Sequence, residues 1–150
     1  MPNGREQNRQ QQGHPQQRQD SSWENEIRNI KTVFQVDNLE NISAETIVNN
    51  ADKLGRILKD IGLKTTQIRK FLDSVRRLDN IFEKGKNFNS NSVILLRPKL
   101  AYAAGRNKQA VGPLFDVLDP AIKAGAVSYK SFKNLVAFIE GIVAYHKFYG

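Results

Sequence analysis

The sequence predicts an all-α protein, a compact bundle of about five to six helices preceded by a disordered Gln-rich N-terminal tail. Three observations carry this expectation. Apolar residues recur at steps of three and four through most of the chain. Hydroxyl residues stand before several of these runs and glycines stand after them, as helix caps and stops do. The only run that reads locally as a buried strand, Val93-Ile94-Leu95-Leu96, has no second strand to pair with.

In order along the chain, residues 1–20 are dominated by Gln, with Gly4, Gly13, Pro2 and Pro15 interspersed. No apolar face offsets the entropy of ordering such a segment, so disorder is expected there, and residues 21–150 are expected to form a single helical domain. Ser21 with Glu24 three residues later makes a capping box for a first helix, whose period is set by Trp23, Ile27, Ile30, Val33 and Phe34. Val36–Ile42 reads as a polar connection. Ser43 caps a second helix with the seam Ile47, Ala51, Leu54, Leu58 and Ile61, and Gly62 stops it. Gly55 on this helix permits a close crossing.

Thr65 to Leu78 begins a third helix that runs to about Glu83. Ile68, Phe71, Leu72, Val75, Leu78 and Phe82 fall within a stripe of roughly 120° at about 100° per residue. Arg69 and Arg76, one heptad apart, flank this stripe, while Lys70 and Arg77 are expected on the outer face. Lys84-Gly85-Lys86 reads as a turn able to meet phosphate or simply solvent. A fourth helix is expected from about Ser90 to Ala104, kinked near Pro98. Pro113 starts a short fifth helix that Pro120 interrupts, and Gly125 turns the chain. Ser128 caps a last helix, roughly Tyr129 to Phe148. Phe132, Leu135, Val136, Ile139, Ile142, Val143 and His146 line its face, with His146 at the boundary of the core.

Charge is uneven. The chain of 150 residues has a net charge of +8, and Leu63–Gly112 alone carries eleven Lys/Arg against three Asp/Glu, which accounts for the whole excess. Trp23–Gly62 is instead net acidic, with seven Asp/Glu against five Lys/Arg. A surplus confined to one segment reads as a surface patch for a polyanion. Other classes lack their parts. There is no Cys, hence no disulfide framework, thiol nucleophile or zinc-thiolate site. The two His, one of them His14 in the tail, assemble neither a triad nor a metal set. Asp116 and Asp119 are three apart, a spacing common by chance. No enzyme activity and no cofactor are expected. No secretory signal or membrane span is visible, which fits the cytoplasm. Phe71 and Phe82 point to the core by period, so phosphate contact is expected ahead of base stacking.

Two segments, Thr65-Thr66-Gln67-Ile68-Arg69-Lys70-Phe71 and Leu95-Leu96-Arg97-Pro98-Lys99-Leu100-Ala101-Tyr102, resemble the small helical subunit of type III-A CRISPR–Cas (Csm) interference complexes. The likeness runs from about Ala51 to Lys108. It implies a non-catalytic bundle that stacks with copies of itself as a filament, beside the repeated backbone subunit that holds the CRISPR RNA. The implied partners are CRISPR RNA, target single-stranded RNA and the other Csm subunits. It singles out Lys64, Arg69, Lys70, Arg76, Arg77, Arg97, Lys99 and Arg106 as candidates to face RNA or a neighbouring subunit. Cations on a rigid helix neutralise phosphates without reading sequence, as a subunit that must accept any guide requires. The alternative is a helical module whose basic face meets acidic proteins. A small helical DNA-binding protein is a third reading, for which no convincing helix-turn-helix turn is present.

Overall fold

A computed structural model describes residues 23–150. The tail expected over 1–20, His14 and the Ser21 cap lie outside the described residues. Among the described residues the regular elements are all helical, as the apolar periods predict. They are α1 (residues 23–34), α2 (Ala44–Asp60), α3 (Thr65–Ile81), a single 3-10 turn (Glu83–Gly85), α4 (Ser90–Ile94), α5 (Leu96–Arg106), α6 (Lys108–Gly125) and α7 (Tyr129–Tyr149).

The element the others share is α7. Helices α2, α3 and α6 all pack on it, while α4 and α5 attach through α6. Its buried arc holds Phe132, Leu135, Phe138, Ile139 and Ile142, all fully inaccessible to solvent. Phe138 stacks on Phe34 of α1 with ring centroids 3.9 Å apart, which ties the first helix to the last. At the other end, the Phe82 ring meets Phe88 and Phe132 edge to face, both at 5.1 Å.

Helices α2 and α7 approach closely because small residues face each other. A Cβ on Gly141 would stand 2.8 Å from the Ala51 Cβ, and one on Gly55 would stand 2.8 Å from the His146 backbone nitrogen. The sequence expectation for Gly55 therefore holds. Gly62 ends α2 as expected, at φ +94°. The Leu63 N–H donates to the Leu58 carbonyl (2.9 Å) and the Gly62 N–H to the Lys59 carbonyl (3.1 Å), the paired bonds of a Schellman stop.

Several boundaries differ from the sequence expectation. The stretch expected as one kinked helix over Ser90–Ala104 is two helices that break at Leu95. Pro98 has no N–H for the Ile94 carbonyl, four residues before it, and its ring crowds that oxygen, so the break falls at the next residue, Leu95. In α6 the opposite happens. The helix starts at Lys108, where the Asn107 side chain accepts from the Ala110 N–H (3.3 Å), and it continues through both Pro113 and Pro120. Burial of Val111, Leu114, Val117, Leu118 and Ile122 outweighs the lost backbone bonds. The cap of α3 is Lys64 rather than a threonine, its backbone N–H bonded to Gln67 Oε1 at 3.3 Å.

The connection expected to be polar carries Leu39, which is 1% exposed. Its N–H donates to Ser131 Oγ (3.0 Å) and its carbonyl accepts from Asn134 Nδ2 (2.7 Å). Ser131→Ala leaves that buried N–H without a partner, so a loss of about 1–3 kcal/mol is expected in urea denaturation. An unchanged midpoint would show that the loop rearranges to satisfy Leu39.

Candidate nucleic-acid interface

The surplus cations reach the surface on both sides of α3. One side faces α7. Arg69 and Arg76, a heptad apart on α3, and Lys147 on α7 border a shallow groove of about 590 Å³ floored by Leu72 and Val143. Glu140 is the carboxylate among the groove's described lining residues, and Arg76 Nη2 lies 3.5 Å from its Oε2. Both side chains are about half exposed, 53% and 46%. A long, solvated pair of this kind contributes about 0–1 kcal/mol, so Arg76 can exchange it for an external anion.

The other side faces α5. The backbone of α3 packs far more closely on α7 than on α5 or α6, and a groove of about 530 Å³ lies between α3 and those two helices. Phe71, Leu100, Val111 and Leu114 form its floor, and Lys70, Lys99 and Arg106 its rim, with no carboxylate among the described lining residues. A smaller depression continues it past Arg77, Leu78 and Ile81 to Leu95. Lys70 and Arg77 are exposed, in keeping with an outer face, and they also border these grooves. The reason is that α3 is held mainly by α7, so its opposite flank overhangs a gap.

The eight predicted positions thus separate by environment. Arg69 and Arg76 share the α7 side, and Lys70, Arg77, Lys99 and Arg106 share the α5 side. Lys64 is exposed at the α2–α3 junction. Arg97 stands apart. Its Nε and Nη2 meet the two Asp119 oxygens at 2.8 and 3.1 Å, a two-pronged clasp between α5 and α6. That hydrogen bond is the main cause of its raised pKa. Arg97 is consequently matched within the chain, and Asp119 is engaged with it rather than with Asp116. Among the described residues no group of three or more His, Cys, Asp or Glu is placed to hold a metal ion.

Two exposed aromatics that the sequence reading did not single out accompany the cations. Phe148 is 76% exposed and lines the α3–α7 groove. Tyr102 is 70% exposed, with the Arg106 guanidinium 5.9 Å from its ring centroid. A signal existed for Phe148. The residues that line the core side of α7, from Phe132 to His146, occupy one side of the helical wheel, and Phe148 falls on the other at about 100° per residue. His146, expected at the core boundary, is fully inside: it is 2% exposed, and its Nε2 donates to the Leu63 carbonyl at 2.6 Å.

Neither the curated proteins nor the solved structures include a match to this chain. A family model described as Csm2 Type III-A matches residues 41–150. That span exceeds the Ala51–Lys108 stretch of the sequence likeness and takes in α6 and α7, including both grooves beside α3.

Proposed function

Because the chain belongs to the Csm2 family, whose members are structural subunits of type III-A CRISPR complexes, we propose that it binds guide and target RNA through the cations beside α3 and stacks with further copies as a filament. The observation that supports this reading is that six of the eleven cations of Leu63–Gly112 line two grooves on either side of one helix, α3. Phosphates are neutralised there without base recognition. The net acidic α1–α2 region and the basic α3–α5 region of successive copies would attract one another, a head-to-tail contact that propagates. The subunit is read as non-catalytic and as working in the cytoplasm beside its RNA. Among the described residues no helix is long and apolar enough to cross a membrane.

The test is titration of a labelled single-stranded RNA of mixed sequence with the full chain, at several salt concentrations. Replacing Arg69, Lys70, Arg76 and Arg77 together by Ala is expected to weaken binding and flatten its salt dependence. At about 0.7 per lost phosphate contact on a single strand, the log–log slope should fall by up to about 3. Unaltered affinity and unaltered complex assembly would sink the reading.

A second reading, an interaction module for acidic proteins, draws on the α3–α5 groove. Its apolar floor and the exposed Ile81 (58%) and Leu95 (61%) suit a protein partner better than phosphate alone. Co-purification of Csm subunits that survives RNase, with no RNA affinity in the isolated chain, would favour it.

A further inference from the structure

We infer that Phe148 is a base-stacking platform, so that the α3–α7 groove takes an unpaired nucleotide segment with a base on the Phe148 ring and phosphates on Arg69, Arg76 and Lys147. This rests on the RNA-binding reading above and adds a contact that the cations alone do not supply. Three observations carry it.

The first is exposure. Phe148 is the most exposed of the large apolar side chains among the described residues, at 76%, although its helix buries Phe132 and Phe138 completely. A lone exposed apolar residue is ordinary. One set into a groove with three cations is a different arrangement, because an aromatic face beside a basic track is what single-stranded nucleic acid engages.

The second is a neighbouring aromatic tied to the body. The Phe148 ring meets Tyr149 edge to face at 77°, with centroids 5.1 Å apart. The Tyr149 hydroxyl in turn donates to Asp52 of α2.

The third is spacing. Arg69 and Arg76 are seven residues apart on α3, about 10.5 Å at 1.5 Å per residue, and Lys147 faces them from α7. That track accommodates more than one phosphate of an extended strand while the base turns toward α7. Glu140, the carboxylate on the α7 wall, lies 3.5 Å from Arg76, a solvated pair that an incoming phosphate can replace.

The experiment compares the full chain with Phe148→Leu and Phe148→Tyr, using two labelled probes of equal length, oligouridine and its abasic counterpart. Stacking on one aromatic side chain corresponds to roughly a 5- to 150-fold change in affinity. Phe148→Leu is expected to lose a factor in that range for oligouridine and nothing for the abasic strand, and Phe148→Tyr to bind both as the native chain does. The fluorescence of Phe148→Trp should also be quenched by oligouridine and spared by the abasic strand, beyond any response of Trp23. Oligouridine binding that is equally tight with Phe148→Leu overturns the platform while leaving the basic surface intact. Equal losses on both probes also overturn it, since they indicate a packing role. If the native chain binds neither probe, the RNA-binding reading itself fails and the platform with it. Loss of self-association in Phe148→Leu with RNA affinity unchanged would assign the ring to a neighbouring subunit instead.

Discussion

Gly55→Leu is expected to lower stability by about 3 kcal/mol, the upper end of what overpacking a well-filled contact costs. For a chain of this length that is a drop of roughly 6–12 °C in Tm, at about 2–4 °C per kcal/mol. A Cβ at Gly55 lies 2.8 Å from the His146 backbone nitrogen, 2.8 Å from the Tyr145 Cβ and 3.0 Å from the Ile142 carbonyl oxygen. Two of those three atoms belong to the α7 backbone and cannot rotate away. The two helices must separate, and with them the contact that buries Ala51, Leu54 and Leu58 against α7. Leu is a good helix former, so the loss cannot be blamed on propensity. Gly112→Ala is the control. It also lies within a helix, but nothing stands within 4 Å of its added Cβ, so a gain of up to about 1 kcal/mol is expected. Thermal melts of the two variants should move in opposite directions. A Gly55→Leu protein that melts like the native one would mean that α2 and α7 pack less closely than described.

The helices whose ends are set locally were legible in the sequence. Ser43 and Ser128 both accept the N–H three residues on, at 3.1 and 3.2 Å, and Gly62 closes α2 with bonds that only a positive φ allows comfortably. What tertiary packing decides was not legible. Pro113 reads as a helix start and Pro120 as an interruption, yet α6 begins before the first and runs through both because its buried face spans the gap between α5 and α7. The candidate site divides in the same way. Helical phase placed Arg69 and Arg76 beside the buried stripe, where they are found. It could not show that the opposite flank of α3 overhangs a groove, since that depends on how far α5 stays away. Nor could it reveal that Arg97 closes on Asp119, 22 residues further on. Phe148 was available from the wheel of α7, but an aromatic at the end of an apolar run is easily read as more core.

His146→Ala is expected to cost about 2–4 kcal/mol and to weaken RNA binding without removing a single cation. The ring is 2% exposed and sits where three helices meet. Its Nε2 donates to the Leu63 carbonyl at 2.6 Å, and the Thr65 hydroxyl lies 3.5 Å from Nδ1. Both partners belong to the corner between α2 and α3. Truncation therefore leaves a void and a buried carbonyl without a donor. It also releases the start of α3 from the end of α7, the two elements that carry Arg69 and Arg76 on one wall and Lys147 and Phe148 on the other. On the RNA-binding reading, cations on both walls meet the phosphates together, so affinity should fall with the groove's width even where the protein remains folded at 25 °C. His146→Phe separates the two causes. It fills the volume but donates nothing to Leu63, so a loss of about 1–3 kcal/mol should remain. Urea denaturation gives the stabilities, and RNA titration well below the midpoint gives the affinities. If His146→Phe matched the native chain in both, the hydrogen bond to Leu63 would have no part in holding α3 against α7, and the groove would owe its width to apolar packing alone.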